Sequence, residues 1–167
     1  KQIVEIQINR NLRSEIKVPV KCHFDLPVVV DVSKNLDDGT PFPTMFWLTC
    51  PMYIKKVSTL ESHGMVKELD NQLNSNKKLR KLWSKRQKSY EKERNRKYKN
   101  VNNTVSPIGG VGGAVNSIKC LHSHLADELV TGKNIVGQIV LENVGGCNCK
   151  EPCVVEGTKN DNWRSEW

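Results

Sequence analysis

Apolar and polar residues alternate with a period of two from Ile16 to Cys22, with Ile16, Val18, Val20 and Cys22 separated by Lys17, Pro19 and Lys21. That period predicts a half-buried strand with Cys22 on its inner face, and the missing amide of Pro19 confines it to a sheet edge. Pro27-Val28-Val29-Val30-Asp31-Val32 reads as a second strand, and Met45-Phe46-Trp47-Leu48-Thr49 as a third that stops at Cys50-Pro51. Between them Asp37-Asp38-Gly39-Thr40-Pro41 has turn chemistry. Three such runs predict a small, mainly antiparallel sheet with Cys22 and Cys50 near its strand ends.

Beyond residue 57 the period lengthens. Ser58-Thr59-Leu60-Glu61 has the form of a capping box, and Leu60, Met65, Leu69 and Leu73 make an apolar stripe, so a helix is predicted over about 58–73 despite Gly64. From 76 to 99 there is neither Pro nor Gly, and the apolar positions are Leu79, Leu82, Trp83, Tyr90 and Tyr98. This segment is expected to be a helix that packs along its first half and projects into solvent beyond it. Residues 100–113 read as a loop. Ile118, Leu121, Leu125 and Leu129 mark one face of a further helix closed at Thr131-Gly132, and 135–143 is a short apolar element of undecided type. A cysteine-rich turn over about 145–155 and a polar tail with Trp163 and Trp167 follow, and no internal repeat is present. The pattern is that of an α+β fold in one domain spanning 1–167, its sheet packed with helices and its basic helix projecting.

Composition alters this picture in two places. The chain has 167 residues, 37% of them apolar, enough for an ordinary core without disulfide staples. No stretch approaches the roughly 20 apolar residues of a membrane span, and Lys1-Gln2-Ile3-Val4-Glu5 lacks a secretory leader's pattern, which predicts a cytoplasmic protein with reduced thiols. The net charge is +8, yet residues 77–99 hold 12 Lys or Arg against two Glu, leaving 14 basic and 16 acidic residues elsewhere. All of the excess charge therefore lies on one segment. The leading reading of this segment is a solvated helix charged all round; the other is that Lys81, Lys85 and Arg86 meet phosphates with Trp83 or Tyr90 stacking, which would make nucleic acid or an acidic protein the partner.

The concentrated chemistry lies in six cysteines, including Cys147-Asn148-Cys149 and Cys153, and in Cys120-Leu121-His122-Ser123-His124. Thiolates and imidazoles hold zinc and iron–sulfur clusters, so the expectation is a structural or redox metal centre of either kind. Ligands scattered along the chain without Cys-x2-Cys knuckles tilt that choice toward iron–sulfur. Helical geometry pairs Cys120 with His124, four residues on, and joins it to His122 only where the segment is a turn or an irregular helix start. Cys50 or Cys120 with His122 could alternatively form a nucleophile and base of a cysteine-dependent enzyme. Gly109-Gly110-Val111-Gly112-Gly113 ahead of a helix could cradle an anion through Gly110 and Gly112, although it lacks the Gly-x4-Gly-Lys-Ser/Thr form, and a hinge or a close backbone approach is the alternative.

Asp38-Gly39-Thr40-Pro41-Phe42-Pro43-Thr44 running into Phe46-Trp47-Leu48-Thr49-Cys50-Pro51, then Val57-Ser58-Thr59-Leu60-Glu61, resembles the signature block of the bacterial family catalogued as domain of unknown function 501. Gly109–Gly113 followed by Lys119-Cys120-Leu121-His122 is similar to the family's second block, and the likeness covers about residues 15–155. It brings no activity, substrate or cofactor. What it implies is a ligand set of Cys22, Cys50, Cys120, His122 and Cys153, with Cys147, Cys149 and His124 in reserve.

Overall fold

A computed structural model describes residues 1–32, 37, 42, 44–98 and 107–166. Residues 38–41 of the expected turn, residues 100–106 of the loop expected over 100–113, and Trp167 lie outside the described residues. Three antiparallel strands, β1 (Ile16–Lys21), β2 (Pro27–Val32) and β3 (Phe46–Leu48), form a sheet in sequence order. Ile16 faces Val32 and Lys21 faces Pro27 across the first pair, and Val29 faces Leu48 across the second. The run of valines takes the centre, where both faces are covered, while Pro19 sits on edge strand β1, where an absent amide costs no ladder bond.

The sheet is covered from both sides. Val30 and Val32, with Ile16 and Trp47, pack against Val4 of α1 (Gln2–Ile8), a helix for which the apolar pattern carried no signal. Val29 and Leu48 enter the larger core with α2 (Pro51–Ser62), α3 (Met65–Ser75), α5 (Leu121–Thr131) and α6 (Ile135–Val144). The architecture is α+β, with six helices, the three-stranded sheet and a small hairpin of β4 (Val154–Val155) and β5 (Thr158–Lys159) among the described residues. No described helix is long and apolar enough to cross a membrane.

Two helices differ from the expectation in ways that matter for the chemistry. The helix predicted over 58–73 is two. Pro51 starts α2 at its first position, which suits a residue without an amide, and the chain breaks at His63-Gly64, Gly64 taking φ +88°. Ser58 and Glu61 thus lie inside α2, and Glu61 is released from capping.

The basic segment forms α4 (Lys77–Tyr98), and it packs along its length instead of projecting. Trp83, Arg86, Gln87, Tyr90 and Arg94 are all buried, Arg86 at 3% exposure and Arg94 at 1%. Arg86 donates from Nε and Nη2 to the two oxygens of Asp127 at 2.8 and 2.7 Å and also holds Glu93. Arg94 donates to the carbonyls of Gly109 and Pro107, and Tyr90 Oη accepts the Met45 amide at 2.8 Å. The polar side chains on the inner face of α4 are met mainly by groups of other elements, a condition for burying them, with Trp83 Nε1 and Gln87 Nε2 the buried donors left without a hydrogen-bond partner among the described residues.

Candidate metal centre and basic face

The six thiols, none of them in a disulfide, divide into a group of five and a separate one. Cys50 follows β3 and caps the N-terminus of α2. Its Sγ lies 4.0 Å from Cys147 Sγ, and Cys147 Sγ lies 3.8 Å from Cys149 Sγ, both carried by the segment that leaves α6. Lys56, on the first turns of α2, pins that segment through the Val144 carbonyl at 3.1 Å and Asn148 Oδ1 at 3.2 Å. His23 Nε2–H donates to the Cys149 carbonyl at 2.8 Å. Cys22, just past the end of β1, and Cys153 complete the neighbourhood, both lying within electrostatic reach of Cys149.

Several polar hydrogens point at these sulfurs. Trp163 Nε1–H donates to Cys149 Sγ at 3.4 Å, and Gln7 Nε2–H donates to Cys153 Sγ at 3.4 Å. The Cys50 thiol is held below its ordinary value by the Cys147 S–H, and the amides of Tyr53 and Met52 at the helix N-terminus lower it further against burial. Cys147 is pushed up in return, first by the proton it shares with Cys50 and then by burial. Burial raises Cys149 and Cys153, and burial together with the nearby thiolates pushes Tyr53 up to about 12. In the metal-free chain these directions keep Cys147, Cys149 and Cys153 as neutral thiols and favour the thiolate at Cys50 alone.

Cys120 and His122, expected in the same set, gather elsewhere. Cys120 caps α5, and its Sγ, an imidazole nitrogen of His122 and a carboxylate oxygen of Glu61 all lie within 4.8 Å of one another. Glu61 Oε1 stands 3.3 Å from His122 Nδ1 and accepts the Leu121 amide at 2.7 Å. His122 Nε2 is 3.3 Å from the Ile54 carbonyl and 3.3 Å from Ser58 Oγ. Burial pushes the Cys120 thiol up, but His122 and Ser123 more than offset it and the net direction is down. Burial pulls His122 down, yet Cys120 and Glu61 carry it above its ordinary value. Because Glu61 lies eleven residues along α2 from Cys50, this group is displaced from the five thiols by about 16 Å of helix axis.

His124, which helical geometry paired with Cys120, is wholly buried and belongs to the α5–α6 junction. Its Nδ1–H donates to Asn134 Oδ1 at 3.0 Å, and burial lowers its pKa. Glu61 was missed because its place in a capping box accounted for it. The signal for it existed: with the helix started at Pro51, Ile54, Ser58 and Glu61 follow i, i+4, i+7 and share one face.

The candidate anion-binding residues separate as well. Arg86 is buried against Asp127 and Glu93 and is turned away from any partner, which corrects its place among phosphate-binding candidates. The glycine loop docks on α4: the Gly109 amide donates to Glu91 Oε1 at 3.0 Å, Val111 to Gln87 Oε1 at 2.7 Å and Gly110 to the Ala114 carbonyl at 2.8 Å. Those amides are consumed and a carboxylate is among their acceptors, so the loop is a close backbone approach: a Cβ on Gly110 would fall 1.8 Å from Gln87 Oε1. Gly112 packs near Cys120 and Ser123. Lys81 and Lys85 remain exposed, in line with Lys77, Lys88, Lys92 and Arg96. At 100° per residue these six cations fall within about 100° of arc and span about 28 Å, and none has a carboxylate partner among the described residues.

No curated protein and no solved structure matches the chain. Residues 18–142 match the family model described as protein of unknown function (DUF501), and the chain belongs to that family.

Proposed function

We propose that the chain is a metal-binding protein whose principal site uses Cys50, Cys147 and Cys149, closed by Cys22 or Cys153, for a thiophilic ion of the zinc class. The observation that carries this reading is the pair of sulfur separations made by Cys147, 4.0 Å to Cys50 and 3.8 Å to Cys149; Cys50 and Cys149 themselves stand more than 4.8 Å apart, so an ion would have to draw those two together. Two thiolates on one tetrahedral ion with bonds of about 2.3 Å stand roughly 3.8 Å apart. Two thiolates on one iron of a cluster stand equally close, so the metal analysis below is what separates a single ion from the iron–sulfur alternative. The N–H groups of Trp163 and Gln7 directed at sulfur are the outer contacts that tune thiolate sites. The role is structural bracing: the ion would tie the start of α2, the end of β1 and the segment after α6, which otherwise share few backbone bonds. Metal analysis of anaerobically purified protein tests it. Zinc near one equivalent at this site, lost in Cys50→Ser and in Cys147→Ser, is the expected result, and full metal retention in both variants would overturn the ligand set.

A second reading concerns the partner, and the unpaired cation row on the outer face of α4 favours it. Six cations on one arc suit the phosphate backbone of a nucleic acid. Binding to a mixed-sequence duplex should then weaken with salt at a slope of up to about −5 in log–log form, and Lys81→Glu with Lys85→Glu should flatten it by about two. Absence of binding at 50 mM salt would end the idea and leave the row as a solvated face.

A further inference from the structure

We propose that Glu61, Cys120 and His122 form a second metal site, independent of the five-thiol group, in which a zinc-class divalent cation takes three protein ligands and keeps one coordination position open. His122 Nε2 lies 3.3 Å from the Ile54 carbonyl, which can only accept, and 3.3 Å from Ser58 Oγ, which can donate or accept; with the ring proton on Nε2 and given to Ile54, the Nδ1 lone pair faces inward. There it confronts Glu61 Oε1 at 3.3 Å, a second acceptor. Two acceptors at that separation repel unless a cation lies between them, and Cys120 Sγ, an anionic ligand when ionised, closes the third side.

The separations suit an ion. Nitrogen and oxygen ligands at about 2.0–2.1 Å from a tetrahedral centre stand roughly 3.4 Å apart, close to the observed 3.3 Å. The surroundings match those of ligating histidines and carboxylates. The far ring nitrogen of such a histidine donates to a backbone carbonyl, here Ile54, and the carboxylate is held by a donor, here the Leu121 amide at 2.7 Å. Glu61 and His122 side chains are 29% and 21% exposed, so the site is reachable from solvent. A set of one sulfur, one nitrogen and one oxygen excludes the all-thiolate cluster and fits zinc with an open position, the arrangement of ions that bind a water or a small anionic ligand. The competing account is a proton in place of the ion, which would make Cys120 and His122 a thiolate–imidazolium pair.

Zn2+ titrated into metal-free, reduced full-length protein decides between them. Two equivalents are expected, falling to one in Glu61→Gln, His122→Asn and Cys120→Ser, each of which weakens the affected site at least tenfold. On the wild type, Zn2+ should also protect Cys120 from iodoacetamide, mapped by mass spectrometry, a readout that does not depend on any variant folding. Unchanged stoichiometry in all three variants, or Cys120 alkylated equally fast with and without Zn2+, would overturn the site in favour of the proton. Failure of the five-thiol site would look different: one equivalent in the wild type, insensitive to Cys147→Ser and lost with Cys120.

Discussion

Arg86→Met should lower the unfolding free energy by roughly 3–5 kcal/mol, because it strands the carboxylate of Asp127 at zero exposure. Asp127 keeps only Asn134 Nδ2, at 2.8 Å, as a side-chain donor once the guanidinium has gone. Burial and the carboxylates of Asp127 and Glu93 define the Arg86 environment: burial works against its charge, and the two carboxylates more than reverse that, so its pKa rises. The loss therefore belongs to the unpaired partner more than to the pair. Arg86→Met combined with Asp127→Leu should recover much of it, since an apolar pair of similar volume removes the stranded charge. Urea denaturation of the wild type, both single variants and the double variant measures this cycle. A cost under about 1 kcal/mol for Arg86→Met would show that α4 is not held against α5 by this pair.

Gly137→Ala should also destabilise, against the sign that helix propensity alone gives. Alanine is favoured over glycine in a helix interior by about 1 kcal/mol. Here an added Cβ on α6 would fall 2.2 Å from the His124 carbonyl and 2.5 Å from Glu128 Cβ on α5. The two helices must separate, which disturbs the packing around His124 and Asn134 and costs on the order of 2–3 kcal/mol net. A Tm lower by roughly 5–10 °C is expected in a thermal melt, and an unchanged or higher Tm would mean that α5 and α6 are not in this contact.

Both effects arise at positions whose importance the one-dimensional pattern hides. On α4 the buried positions 83, 86, 90 and 94 follow the i, i+3, i+4 spacing of an inner face, but two of them are arginine. A pattern that scores arginine as polar assigns them to water and makes the helix appear to project. Their burial is possible only because Asp127, Glu93 and the carbonyls of residues 107 and 109 meet them, and those acceptors come from distant parts of the chain. The three strands were legible, since alternation and the Pro19 edge signal are local properties of the backbone. The helix at 58–73 was legible in kind but not in extent, because a capping box at Ser58 competed with Pro51 at a first helical position. For α1, no periodic signal was visible over its seven residues, and its docking on β2 is what holds it.

The candidate chemistry followed the same division. Residue types determined that thiols and imidazoles were present in a number and spacing suited to metal, and that the excess charge lay on one segment. Which of them meet was decided by the fold. The distance of Cys147 from Cys50 is 97 residues in sequence and 4.0 Å in space, and Cys120, nearer to Cys147 in sequence, is turned to Glu61 and His122. Ligand geometry is a property of side chains from different elements converging on one point, so local preferences can nominate donors but cannot group them. The sequence by itself determined the strands, the helix-forming segments and the donor inventory. Only the packing of α2 against α5 and of the C-terminal segment against α2 could divide that inventory into two groups.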